Sequence, residues 1–213
     1  MRIAVVDYGM GNLRSVTQAL KHVAAGGADI ILTQDPDTVA QADKVVFPGQ
    51  GAMPDCMAHL QASGLREAVL FAAKNKPFLG VCVGAQLLLA HSEEGAVDAL
   101  GVYAGEVKRF AHGMHDSAGA RLKVPHMGWN QVWRQAAHPL FTGIVDGARF
   151  YFVHSYYMVP QDPTLSLGYC EYPTAFSAII GQDNVFATQF HPEKSHEAGL
   201  RLLANFIAWD GCA

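Results

Sequence analysis

Two spacings of apolar positions alternate along the first hundred residues. The runs RIAVVD (2–7), DIILT (29–33), KVVFPG (44–49) and PFLGVC (77–82) are short, nearly continuous and rich in β-branched residues, as strands buried on both faces should be. Between them the spacing turns helical: residues 12–25 predict one helix and 53–74 one or two. Strands alternating with helices in this way predict a parallel sheet covered by helices, with functional groups collected at the carboxyl ends of the strands.

Beyond residue 100 the pattern becomes strand-rich, in GVYAGEVKRF, LKVPHMGWNQVWR, ARFYFVHSYYMV, TLSLGYCEYP and AFSAIIGQDNVFATQFHPE. Within the last of these, Gly181 to Asn184 predicts a hairpin turn. A closing helix over 195–209 sets Leu200, Leu203, Ala204 and Ile207 at helical spacing. No repeat, low-complexity tract or linker interrupts the chain, so a single domain over residues 1–213 is expected, with both halves sharing one sheet.

Composition narrows the classes further. Half of the 213 residues are apolar and 16 % are charged, which is ordinary for a globular protein. A net charge of −4 gives no general attraction to nucleic acid or anionic membranes. No apolar run approaches the ~18 residues of a bilayer span, and the start, MRIAVVDYGMGN, lacks the pattern of a signal peptide. A cytoplasmic protein is the expectation. The cysteines, Cys56, Cys82, Cys170 and Cys212, form no Cys-x-x-Cys pair and read as reduced thiols, one of them a candidate for reactivity.

That candidate is Cys82. Alone it could be a small core hydrophobe, yet Gly80 and Gly84 flank it at minus two and plus two, the G-x-nucleophile-x-G spacing of a strand-to-helix elbow. Such a turn exposes its apex above the sheet, and the following helix presents unpaired N–H groups that favour the thiolate. The N–H of Val83, next after the nucleophile, is placed to bind an oxyanion.

A cysteine nucleophile needs a base, and the chain has ten histidines. His191, in ATQFHPEKS, stands out: it precedes Pro192, which favours extended backbone, and residues i and i+2 of extended chain share a side. Glu193 would then hold the ring and fix its tautomer; a surface turn with a chance His and Glu is the alternative. His154, in YFVHSYY, is either near a site or an ordinary strand histidine. HGMHD (112–116) looks metal-like but has no further ligand spacing. A third place is PGQG at 48–51, either a plain turn or, with an N–H from Gly49, Gln50 or Gly51, a second oxyanion donor. A dinucleotide fingerprint fails in DYGMGN, because the third glycine falls on Arg14.

In the order P-G-x-G, G-x-C-x-G-x-Q, H-P-E, the chain resembles the class I, triad-type glutamine amidotransferases over nearly its whole length. The resemblance implies their flavodoxin-like α/β fold, with a central, mostly parallel sheet flanked by helices and a strand-rich C-terminal half. It implies that Cys82 attacks the glutamine side-chain amide, giving a glutamyl thioester and ammonia, with His191 moving protons and Glu193 orienting it. Gln86 and Gly51 would hold glutamine, and His154, Ser155 and Tyr156 would meet its α-amino and carboxylate groups. No cofactor or metal is implied. The family's usual elbow has larger apolar residues at the positions of Val83 and Ala85, which implies altered packing.

Within the family, DYGMGNLRSV, VPHMGWNQV, YFVHSYY and ATQFHPEKS are similar to the branch that passes ammonia to a (β/α)8-barrel cyclase subunit of histidine biosynthesis, in a heterodimer. Asn12, Trp129, Tyr151 and Lys194 lie in motifs of that branch and are candidates for the partner face, with simple packing or solvation as the other reading. A paralogue feeding a different synthase, a non-catalytic module and a peptide-cleaving cysteine hydrolase are the rival readings. Gln86 and PGQG count against the hydrolase, and the intact Cys82, His191 and Glu193 against a non-catalytic copy.

Overall fold

The structure is a computed structural model that describes residues 1–116 and 118–212. Among the described residues, thirteen strands form one connected sheet. Its parallel half consists of β1 (Arg2–Val6), β2 (Asp29–Thr33), β3 (Lys44–Gly49), β4 (Phe78–Cys82) and, from late in the chain, β13 (Val185–Thr188). Their spatial order is β2-β1-β3-β4-β13. Every residue of β3, β4 and β13 is buried, which is why these segments read as unbroken apolar runs. Helices α1 (Leu13–Ala24), α2 (Pro36–Gln41), α3 (Met53–Ala62), α4 (Arg66–Asn75) and α6 (His196–Ala208) cover the sheet, and a single turn, α5 (Val83–Gln86), follows β4.

The C-terminal half continues the sheet in antiparallel fashion. Short β5 (His91–Ser92) and β6 (Val97–Asp98) form its edge with β7 (Gly105–Arg109), and β8 (His126–Arg134) makes a long ribbon with β9 (Ala148–His154). Strands β10 (Tyr156–Pro160), β11 (Ser166–Glu171) and β12 (Ala175–Gln182) lead back to β13. The β12–β13 turn falls where glycine and amide residues predicted it. Register matters most at the centre: Gly49 of β3 lies opposite Cys82 of β4, and Val81 opposite Thr188 of β13. The three chemistry-bearing motifs therefore leave the sheet at one edge, side by side.

Three local expectations need correction. Helix α2 was not read, because only Val39 of its six residues is buried and no period shows; it is set by Asp35, whose carboxylate accepts from the N–H groups of Asp37 and Thr38, with Pro36 first in the helix. Helix α6 buries Gly199, Leu202, Leu203 and Phe206, so its inner face is rotated from the one expected, and Leu200, Ala204 and Ile207 lie half-buried on its flank. The helix after Cys82 spans only Val83–Gln86 before tight turns replace it.

The C-terminus of α6 is tied to the sheet by one side chain. Lys44, 6 % exposed, donates from Nζ to the carbonyls of Phe206 (3.1 Å), Ile207 (2.7 Å) and Trp209, which α6 leaves without intrahelical partners. Burial pulls the Lys44 ammonium below its ordinary value, while Asp210 and Asp43 work against that pull. Among the described residues no helix is long and apolar enough to cross a membrane.

Candidate active site

Cys82 occupies a sharp turn with φ 56° and ψ −114°, a region that a residue with a side chain enters only under constraint. The constraint is the close crossing of two backbones. A Cβ on Gly84 would lie 1.9 Å from the carbonyl oxygen of Phe47, and one on Gly49 would lie 2.5 Å from the Gly84 nitrogen. Glycine at both places lets the loop after β3 lie against the elbow. Cys82 is only 4 % exposed, so it is reached through a cavity rather than displayed above the sheet as expected.

That cavity has a volume of about 400 Å³ and is lined by Gln50, Gly51, Cys82, Val83, Gln86 and Glu94 on one side. Pro125, Tyr151, Val153 to Tyr156, His191 and Lys194 close the other. Of the three candidate oxyanion donors in the PGQG loop, Gln50 and Gly51 reach the cavity and Gly49 packs beneath the elbow. The N–H of Val83 heads α5, where no intrahelical acceptor exists for it.

His191 enters from the segment after β13. Its Nδ1 lies 2.9 Å from Glu193 Oε1, and the two side chains are 3 % and 0 % exposed. The contact was expected, but for a different backbone: Pro192–Lys194 is a 3-10 turn, so the turn, and not extended chain, brings Glu193 back to the ring. Asn12 adds a second bond to the same oxygen, Nδ2 to Oε1 at 3.2 Å. The backbone of His191 is held too, its N–H donating to Tyr151 O (2.9 Å) and its carbonyl accepting from Ser195 Oγ (2.6 Å).

The free ring nitrogen, Nε2, makes no hydrogen bond of ordinary geometry, yet it is close enough to Cys82 to respond to its charge. Burial alone lowers the imidazole, but a Cys82 thiolate and then the Glu193 carboxylate outweigh it and carry His191 to about 10. The site thus favours the protonated imidazole. Catalytic contacts in unliganded sites are commonly loose and close on substrate.

The remaining predicted residues divide. Gln86 uses both amide hydrogens inside the protein, on Tyr156 O (2.9 Å) and Gln189 Oε1 (3.0 Å), leaving its carbonyl oxygen to offer a ligand. His154 lines the cavity, but its nitrogens are taken by Tyr156 O (2.7 Å) and His126 (2.9 Å). Trp129 stacks on His196 at 4.8 Å, lies edge-on to Tyr151 at 6.1 Å, and is 39 % exposed. Lys194 Nζ sits 6.0 Å over the Tyr151 ring. These three form one patch that reaches the cavity through Tyr151 and Lys194, whereas the amide of Asn12 turns inward to Glu193.

Two polar residues of the site escaped the sequence reading. Glu94 lines the cavity and accepts from the Met53 N–H (2.8 Å), and nothing in its surroundings in the chain marks it. Gln189 is wholly buried and directs Nε2 at Cys82 Sγ, 4.0 Å away. It precedes His191 by two, and strand periodicity could have drawn attention to it. In the 112–116 loop, His112 Nε2 accepts from Arg109 (2.5 Å) and Asp116 holds the N–H groups of Ala118 and Ala120. Among the described residues no cluster of His, Cys, Asp and Glu could hold a metal ion. A wider depression of about 760 Å³ over β10 to β12 carries neither cysteine nor histidine.

An elbow cysteine, a His–Glu pair and a glycine loop meet at three adjacent strand ends, and residues 4–209 match the family described as glutamine amidotransferase class-I. The chain belongs to that family. Within it, the chain is 60 % identical over 211 residues to the imidazole glycerol phosphate synthase subunit HisH of Chromobacterium violaceum, covering 99 % of both chains. It is 64 % identical over 208 residues to the HisH subunit of Dechloromonas aromatica, covering 97 % of this chain and 96 % of that one. Among solved structures, a glutamine amidotransferase shares the fold at a TM-score of 0.72 and 17 % identity, covering 97 % of this chain and 99 % of that one. Another, from Thermotoga maritima, does so at 0.55 and 16 %, covering 91 % and 76 %.

Proposed function

We propose that the chain is the glutaminase subunit of imidazole glycerol phosphate synthase, releasing ammonia from glutamine at Cys82. The observation that carries this reading is the meeting of Cys82, His191 and Glu193 at one cavity in a chain so similar to HisH subunits along its length.

The Cys82 thiolate attacks the side-chain carbonyl carbon of glutamine, and the electron pair of the C=O bond moves to oxygen. That oxyanion meets the N–H of Val83 and one from the PGQG loop. The His191 imidazolium gives its proton to the amide nitrogen, the C–N bond breaks, and ammonia leaves behind a glutamyl thioester. Water then attacks the thioester, His191 takes its proton, and collapse of the second tetrahedral intermediate returns glutamate and the thiolate. Glu193, with Asn12 behind it, keeps the ring in the tautomer this exchange needs. The Gln86 carbonyl, the Glu94 carboxylate and the backbone of Gly51 and 154–156 supply acceptors and donors for the glutamine head group.

Ammonia is used by a partner, the (β/α)8-barrel cyclase subunit (HisF), whose reaction yields imidazole glycerol phosphate and an aminoimidazole carboxamide ribotide. The carbon–nitrogen lyase step belongs to that subunit. Trp129, Tyr151 and Lys194, packed together beside the cavity, form the part of the face that meets it, and Asn12 acts from behind through Glu193. The two subunits form a heterodimer in the cytoplasm. Glutamate release, measured alone and with the cyclase and its ribulosyl substrate, tests the proposal. Strong stimulation that Cys82→Ala abolishes is expected; no release with the partner present overturns it.

A further inference from the structure

A line of hydrogen bonds runs from the β8–β9 ribbon to the nucleophile. Asn130 Nδ2 lies 3.2 Å from His126 Nε2, His126 Nδ1 is 2.9 Å from His154 Nε2, and His154 Nδ1 is 2.7 Å from Tyr156 O. The same carbonyl accepts from Gln86 Nε2, which also donates to Gln189 Oε1, and Gln189 Nε2 points at Cys82 Sγ. Two of these links join residues 28 and 103 positions apart.

Only one assignment of hydrogens satisfies every link. Tyr156 O can only accept, so His154 carries its proton on Nδ1 and accepts on Nε2. His126 must then donate from Nδ1 and accept on Nε2 from Asn130. The Asn130 amide cannot turn over, because its oxygen accepts from the Gln131 N–H (2.8 Å) and its nitrogen also donates to Glu171 O (3.0 Å). Adding a proton to either ring would set two donors face to face. Burial agrees, pushing His126 down to about 4 and His154 to about 3. Gln86 in turn offers N–H to the Gln189 oxygen, which leaves the Gln189 N–H, and not its carbonyl, facing the sulfur.

We propose that Gln189 is a direct partner of the Cys82 thiolate, that Gln86 is a positioning residue that holds its amide in the donating orientation, and that Asn130, His126 and His154 position the Tyr156 carbonyl on which Gln86 rests. This rests on the reading of Cys82 as nucleophile. The titratable groups facing Cys82 are His191, backed by Glu193, after β13, Tyr8 after β1 and Cys56 of α3, with Glu94 and Lys194 across the cavity. The variants below leave all of them in place.

The test is the rate of Cys82 alkylation by iodoacetamide, followed by peptide mass mapping in full-length Cys212→Ser protein, since Cys212 is the exposed thiol. The other two thiols compete little, because burial pushes Cys56 up to about 11 and Cys170 to about 12. Gln189→Met keeps the volume and removes the donor; its rate at pH 6 should fall about tenfold or more, as for loss of a hydrogen bond to a charged group, with the rate at pH 10 unchanged. His126→Leu should lower the pH 6 rate about threefold, in the range of couplings through packed networks, and His126→Gln, which can still accept and donate, should restore it. Equal losses at both pH values, or none in Gln189→Met, overturn the assignment of Gln189. A wild-type rate in His126→Leu overturns the positioning role of the chain. If wild-type Cys82 reacts at pH 6 no faster than glutathione, it is the nucleophile assignment itself that fails.

Discussion

Glu193→Gln isolates the charge of the carboxylate beside His191 from its shape. Oε1 accepts from both His191 Nδ1 (2.9 Å) and Asn12 Nδ2 (3.2 Å), and a glutamine oxygen in that place can accept both bonds while the negative charge is lost. His191 stands at about 10 against an ordinary 6.5, a gap worth ~5 kcal/mol in favour of the imidazolium at ~1.4 kcal/mol per pH unit. Burial opposes that gap, and Cys82 is a larger cause of the rise than Glu193; an opposite charge this close is ordinarily worth about one to three units, so about one to two should disappear with the charge of the smaller contributor. The sign follows directly: a group raised by an anion falls when the anion is removed. The imidazolium would then be lost at lower pH, and the basic limb of the glutaminase kcat/KM profile should move down by about one to two pH units. The profile is to be recorded with the cyclase subunit and its substrate at saturation. A variant with reduced activity but an unmoved basic limb would refute the argument that Glu193 acts by its charge on His191.

Other consequences are more local. Gly84→Ala places a Cβ 1.9 Å from Phe47 O; overpacking of that kind should cost about 3 kcal/mol in urea unfolding and remove glutaminase activity. Lys44→Met leaves the carbonyls of Phe206, Ile207 and Trp209 without their donor and should destabilise by about 1–3 kcal/mol, with activity retained in the folded fraction. His126, His138 and His154 are buried neutral, at about 4, 4 and 3. At these three sites the unfolded chain therefore binds more protons than the folded one below pH 6.5, and stability falls with acid by ~2 kcal/mol per histidine at pH 5. His126→Gln should flatten that acid loss by about one histidine's share, as read from unfolding midpoints between pH 5 and 7.

What the sequence disclosed depended on whether neighbours in the chain carried the information. The strands of the parallel half were legible because burial on both faces leaves unbroken apolar runs, as in Val45–Val46–Phe47. The elbow was legible because its two backbone demands fall on glycines at fixed distance from Cys82. The His191–Glu193 contact was foreseen and its backbone misjudged, since Pro192 serves as well to begin a turn as to extend a strand. The inner face of α6 was misassigned because its closest approach is made by Gly199, where a Cβ would lie 1.9 Å from Pro192 O; a residue buried for lack of a side chain leaves no apolar mark. The His126–His154 pair and the Gln86–Gln189–Cys82 link join separate strands, and no local pattern could announce them.

The central claim is that Cys82 performs covalent attack on a glutamine side chain. Its most direct measurement is peptide mapping after exposure of the wild-type chain, with its cyclase partner, to a diazoketone analogue of glutamine. One adduct, on Cys82, suppressed by excess glutamine and absent in Cys82→Ala, is the predicted result. Labelling of Cys56, Cys170 or Cys212 in its place, or labelling of Cys82 that glutamine does not suppress, would contradict it.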